Sequence, residues 1–147
     1  MDRWVATNHT NDKVAFPPFS LMPKPNVYEF TPGADTTQPW SVVQLTQDGD
    51  ISITGPPPSN PGQAAPGVTA PGDLDGDGDI DLAVSGDGDR QVFWLEQVSP
   101  GSFELNQLPA GTGWGQAGAT AGDLNRDGIA EMAFASFDES KVGIWQS

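Results

Sequence analysis

Apolar residues in this chain come in short runs, and no stretch keeps a helical period over ten residues or more. Leu82-Ala83-Val84-Ser85, Gln91-Val92-Phe93-Trp94-Leu95 and Phe103-Glu104-Leu105-Asn106-Gln107-Leu108 follow one another, each bounded by Gly, Asp or Ser. That is the pattern of strand, polar turn and strand. Ala and Ser between the larger residues of the first run suit a strand buried on both faces, one of them tightly packed. Upstream lies Gly67-Val68-Thr69-Ala70, a stretch of small residues. It reads as an inner strand, where backbones crowd together.

The polar stretch between the first two strands is Asp73-Leu74-Asp75-Gly76-Asp77-Gly78-Asp79-Ile80-Asp81. Fifty positions on, the same grammar returns as Asp123-Leu124-Asn125-Arg126-Asp127-Gly128-Ile129-Ala130-Glu131. The match continues without gaps: Leu82 to Ser85 falls on Met132-Ala133-Phe134-Ala135, and Gln91 to Leu95 on Lys141-Val142-Gly143-Ile144-Trp145. Gln116 to Ala121 gives the second copy its own small-residue inner strand. One unit is then four strands, with the acidic loop between the first and the second. Such a period marks a chain built of copies of one small unit.

A looser copy stands at the N-terminus. Trp4 to Asn8 aligns with Leu82 to Gly86, Lys13-Val14-Ala15-Phe16 with Gln91 to Trp94, and Trp40 to Leu45 with Phe103 to Leu108. A Pro-rich insertion, residues 17–39, separates them and holds a short strand candidate, Val27-Tyr28-Glu29-Phe30. Gly55 to Gly62, with four prolines, is read as an exposed loop. The expected organisation is a single domain over 1–147. Residues 1–54 form an incomplete first unit, 63–110 a complete one and 111–147 an incomplete last one. The fold class is all-β, with four-stranded antiparallel blades of the β-propeller type, two to three in number.

Each acidic loop offers side-chain oxygens at positions 1, 3, 5 and 9, with Gly at position 6. This is how a short loop collects hard oxygen ligands around one cation, and Ca²⁺ suits it better than Mg²⁺. Five carboxylates within the first loop repel one another without a counter-ion. Position 12 is Val84 or Phe134, so neither loop supplies the bidentate Glu of an EF-hand. The net charge of −14, from 6 basic and 20 acidic residues, argues against nucleic acid or an anionic membrane as partner. The absence of cysteine excludes disulfides, thiolate zinc sites and a Cys nucleophile. No apolar run is long enough to span a membrane as a helix, and the N-terminus carries no visible export signal.

Residues Gly72 to Leu82 and Gly122 to Met132 resemble the FG-GAP/VCBS repeat family, the calcium-loop blades of integrin α-subunit heads and many bacterial surface proteins. The resemblance implies one Ca²⁺ per loop, two in all. The first would be held by Asp73, Asp75, Asp77, Asp79 and Asp81, with Asp79 at position 7 ligating through its main-chain carbonyl. The second would be held by Asp123, Asn125, Asp127, Ile129 and Glu131, with Ile129 in the carbonyl role. Arg126 inside that loop, and Glu131 where the family favours Asp, should weaken it. The resemblance also implies an extracellular or cell-surface protein and a non-catalytic module for adhesion or carbohydrate recognition. A protein or carbohydrate partner is expected, with membership of a homo-oligomer or a larger propeller. Two alternatives remain at this stage. One is a propeller piece of a sugar-modifying enzyme of the lyase or dehydratase type. The other is a structural remnant with no ligand beyond Ca²⁺. His9 reads as a turn residue, Trp114 as an exposed aromatic, and Asp48-Gly49-Asp50 and Asp87-Gly88-Asp89 as hairpin turns.

Overall fold

A computed structural model describes residues 3–7, 26–47, 68–85, 92–108, 118–136 and 140–147. These hold ten strands and no helix, arranged as three antiparallel sheets of three, four and three strands. The sheets are blade-like and do not close into a barrel. His9, Trp114, Lys13 to Phe16, the Gly55–Gly62 segment and both Asp-Gly-Asp turns lie outside the described residues.

The middle sheet has the order β4-β5-β6-β7. Its strands are β4 (Val68–Gly72), β5 (Asp81–Ser85), β6 (Val92–Ser99) and β7 (Ser102–Gln107). Consecutive strands pair, and the acidic loop 73–80 joins β4 to β5. Leu82 pairs with Leu95, Ala83 with Trp94, Val84 with Phe93 and Ser85 with Val92. Every residue of β5 is buried, so the sheet is covered on both faces, as its small-and-large alternation predicts. Leu82, Val84, Phe93 and Leu95 pack towards the first sheet with Val27 and Val5. Ala83, Val92 and Trp94 pack the other way, with Met132 and Phe134 of the last sheet. Trp94 and Trp145 meet across that second boundary, their ring centroids 5.9 Å apart and tilted.

The last sheet is β8 (Ala119–Gly122), β9 (Glu131–Ser136) and β10 (Lys141–Trp145), in the order β10-β9-β8. The acidic loop 123–130 again joins the inner strand to the second. Small residues let the inner strands approach one another: a Cβ built on Gly72 would stand 2.8 Å from Cβ of Ala121. The outward face of this sheet is open. Val142 is 72 % and Ile144 63 % exposed, where their repeat equivalents Val92 and Trp94 are buried.

The first sheet is β1 (Trp4–Thr7), β2 (Val27–Thr31) and β3 (Ser41–Gln44), in that order. Here the sequence reading meets a difference. The strand beside β1 is Val27–Thr31, the candidate assigned to the insertion, with Trp4 opposite Phe30 and Thr7 opposite Val27. The reason is tertiary. Val27 is fully buried against the middle sheet. Its N–H donates to Thr46 Oγ1, whose hydroxyl in turn donates to the buried Asn26 Oδ1. Trp40 stands just ahead of β3 rather than inside it, and its ring lies 6.3 Å from that of Trp4.

Candidate metal centre

The loop between β4 and β5 is wound on its own carboxylates. Asp73 accepts from Gly76 N–H through Oδ1 at 2.8 Å and from Gly78 N–H through Oδ2 at 3.1 Å. Asp75 Oδ1 accepts from Asp77 N–H, and Asp77 Oδ1 from Asp79 N–H, each two residues on. These are side-chain turns of the kind Asp favours. Gly76 and Gly78 take φ of +82° and +94°, a region that a Cβ penalises. At the far end Asp81 Oδ2 accepts from Leu74 N–H and Oδ1 from Gln97 N–H, both at 2.8 Å. The last ligand candidate therefore ties the loop both to its own start and to β6.

Asp73, Asp75 and Asp81 each bring a carboxylate oxygen within 4.8 Å of the others. Asp77 is exposed and Asp79 half-buried; neither belongs to this group of three. Asp81 is only 1 % exposed. Burial raises its pKa above the ordinary carboxylate value, the Gln97 and Leu74 N–H groups pull it back, and the negative charges of Asp75 and Asp77 raise it again. A buried carboxylate among like charges requires a proton or a cation. Arg3 pairs with Glu29, 3.3 Å apart in the first sheet, and among the described residues no ion pair joins a basic side chain to the loop. The donor set is all oxygen, and each bonded carboxylate oxygen keeps a second lone pair. Those residues fit a hard divalent cation.

The second loop repeats most of this bonding. Asp123 takes the N–H groups of Arg126 and Gly128, Asn125 that of Asp127, and Asp127 that of Ile129. Glu131 Oε2 accepts from Leu124 N–H at 2.7 Å, so its extra methylene still lets it close the loop. Two things differ. Arg126, at the place of Gly76, takes φ +69°. Amide groups of Asn125 and Gln146 donate to Asp127 Oδ2 at 2.8 and 2.9 Å. The Ile129 N–H bond first, then those two amides, hold the Asp127 pKa below the ordinary value. Its carboxylate is thus already engaged by donors. The cluster of three converging acids lies in the first loop only, among the described residues.

The sequence reading missed that the two loops touch. Ala130 N–H donates to the Asp73 carbonyl at 2.7 Å. Leu74, fully buried, belongs to the same apolar cluster as Ala119, Ala130 and Met132. A Cβ on Gly76 would stand 2.9 Å from Cγ1 of Ile129. The signal was present: a leucine inside an otherwise polar loop, at position 2 of both copies, has no use in holding a cation.

Residues 73–134, from the first loop through the second and into β9, match the family of the FG-GAP-like repeat. Comparison with curated proteins and with solved structures gives no match.

Proposed function

We propose that this FG-GAP-like segment is a calcium-stabilised, β-propeller-like module that acts by binding rather than by catalysis, on an extracellular or cell-surface protein. The observation that carries this reading is Asp81. It is buried, lies among the acids Asp73, Asp75 and Asp77, and has no ion pair with a basic side chain among the described residues. In this reading Asp73, Asp75 and Asp81 hold the ion, with Asp77 and the Asp79 carbonyl completing the set. Calcium supplies the missing positive charge and pins β4 to β5. Asp123, Asn125, Asp127, the Ile129 carbonyl and Glu131 form a second, weaker site. Affinity for the first is placed at roughly 10⁻⁴ to 10⁻³ M, the range of extracellular modules.

The test is a thermal melt with chelator and with millimolar Ca²⁺, on the parent chain and on Asp73→Ala. The parent should gain several degrees in Ca²⁺. Asp73→Ala removes one candidate ligand and the acceptor of two loop N–H groups, so most of that gain should vanish. An equal gain in both proteins would remove the first loop as the metal site.

A further inference from the structure

Residues alternate in role along the first loop. Asp73, Asp75, Asp77, Asp79 and Asp81 are the candidate ligands. Gly72, Leu74 and Gly76, which alternate with the first of them, belong to the boundary with the last sheet. A Cβ built on Gly72 would stand 2.8 Å from Cβ of Ala121 and 3.1 Å from that of Ala130, and one on Gly76 would stand 2.9 Å from Ile129 Cγ1. Leu74, fully buried, shares an apolar cluster with Ala119, Ala130 and Met132.

The polar bonds are divided in the same way. The Asp73 carboxylate turns inward and accepts from Gly76 and Gly78 N–H, while its main-chain carbonyl accepts from Ala130 N–H at 2.7 Å. That N–H belongs to the peptide unit whose other end is the Ile129 carbonyl. Leu74 N–H is held by the buried Asp81 carboxylate at 2.8 Å. Two sets of contacts thus share one short stretch of backbone, and they form or fail together. The carboxylate oxygens of Asp73, Asp75 and Asp81 lie within 4.8 Å of one another. Without a counter-ion their repulsion acts to spread the loop, and a spread loop carries Leu74 and the Asp73 carbonyl away from the last sheet.

We infer that cation occupancy of the first loop controls the docking of the last sheet on the middle one. This rests on the calcium reading proposed above and extends it. In that reading the ion pins two strands of one sheet; the geometry makes the same loop the fastener between two sheets, with Ala130 as the point of attachment. If opening the boundary unwinds the loop, an ion bound only to the closed form suppresses opening by the factor 1 + [Ca²⁺]/Kd. With a dissociation constant of roughly 10⁻⁴ to 10⁻³ M, about 10 mM Ca²⁺ gives a factor of about 10 to 100.

The test is residue-resolved amide hydrogen exchange on the full chain, in chelator and in about 10 mM Ca²⁺. Exchange at Ala130 should slow about tenfold or more in Ca²⁺. In Asp75→Ala, which leaves every side chain of the second loop in place, that slowing should be lost. In Glu131→Gln, which removes a charge from the second loop but keeps an oxygen for Leu124 N–H, it should persist. Slowing confined to the first loop and β5 overturns the inference and leaves the calcium reading standing. So does slowing at Ala130 that survives Asp75→Ala or that disappears in Glu131→Gln. No slowing anywhere in the parent chain overturns both.

Discussion

Arg126 occupies a left-handed backbone site that its repeat partner fills with glycine. For a residue with a Cβ that conformation costs about 1–2 kcal/mol. Arg126→Gly should therefore stabilise the chain by about 1 kcal/mol, read from denaturant melts. A neutral or destabilising result would show that the arginine side chain makes good its strain. Asp81 sets a second expectation. Burial raises its folded pKa above 3.8, so between that value and the raised one the native state holds a proton that the unfolded chain has released. Without metal, this group's contribution to stability is present at low pH and falls as pH rises through the raised pKa. In chelator the melting temperature should drop from pH 4 towards neutrality, and Asp81→Asn should flatten that slope. An unchanged slope in the variant would shift the cause to the general repulsion of an acidic chain. The loop composition and spacing were legible in the sequence because ligand oxygens and tight-turn glycines are local features. Which three acids converge was not, because Asp81 is positioned by the N–H of Gln97 from another strand.

At the scale of strands, the alternation of small and large residues in β5 and β6 correctly marked a sheet covered on both faces. The offset of fifty residues placed the inner strands and both loops. Pairing in the first sheet was less legible. Lys13 to Phe16 resembles Lys141 to Ile144 more closely than Val27 to Thr31 does, yet Val27–Thr31 takes the place beside β1. Likeness along the chain could not register the buried Asn26–Thr46 bond or the seat of Val27. The two loop leucines give the sharpest test of packing. Leu74 is fully buried and Leu124 is 60 % exposed. Leu74→Ala should cost about 2–5 kcal/mol through lost burial and the cavity left behind. Leu124→Ala should stay within about 0.5 kcal/mol. Paired denaturant melts decide it, and similar losses in both would mean that the last sheet's open face is covered in solution.

Over the whole molecule, three sheets stack in sequence order, each joined to the next by apolar side chains. Among the described residues the two ends of the stack differ: the last sheet carries a loop with an exposed leucine and the exposed side chains of Val142 and Ile144, and β1 is the end strand of the first sheet. Gly72 and Gly122 stand at matching places in the repeat, yet a Cβ on Gly72 would crowd Ala121 and Ala130, while one on Gly122 meets nothing within 4 Å. Their histories of tolerated change should diverge accordingly. Mutation at the first is checked by its neighbours, whereas at the second it is checked only when something docks there. A record of natural variation that pooled the two copies would blur this difference. Read separately, the rate at which Gly122 drifts would report how often, in the life of the protein, that place is occupied.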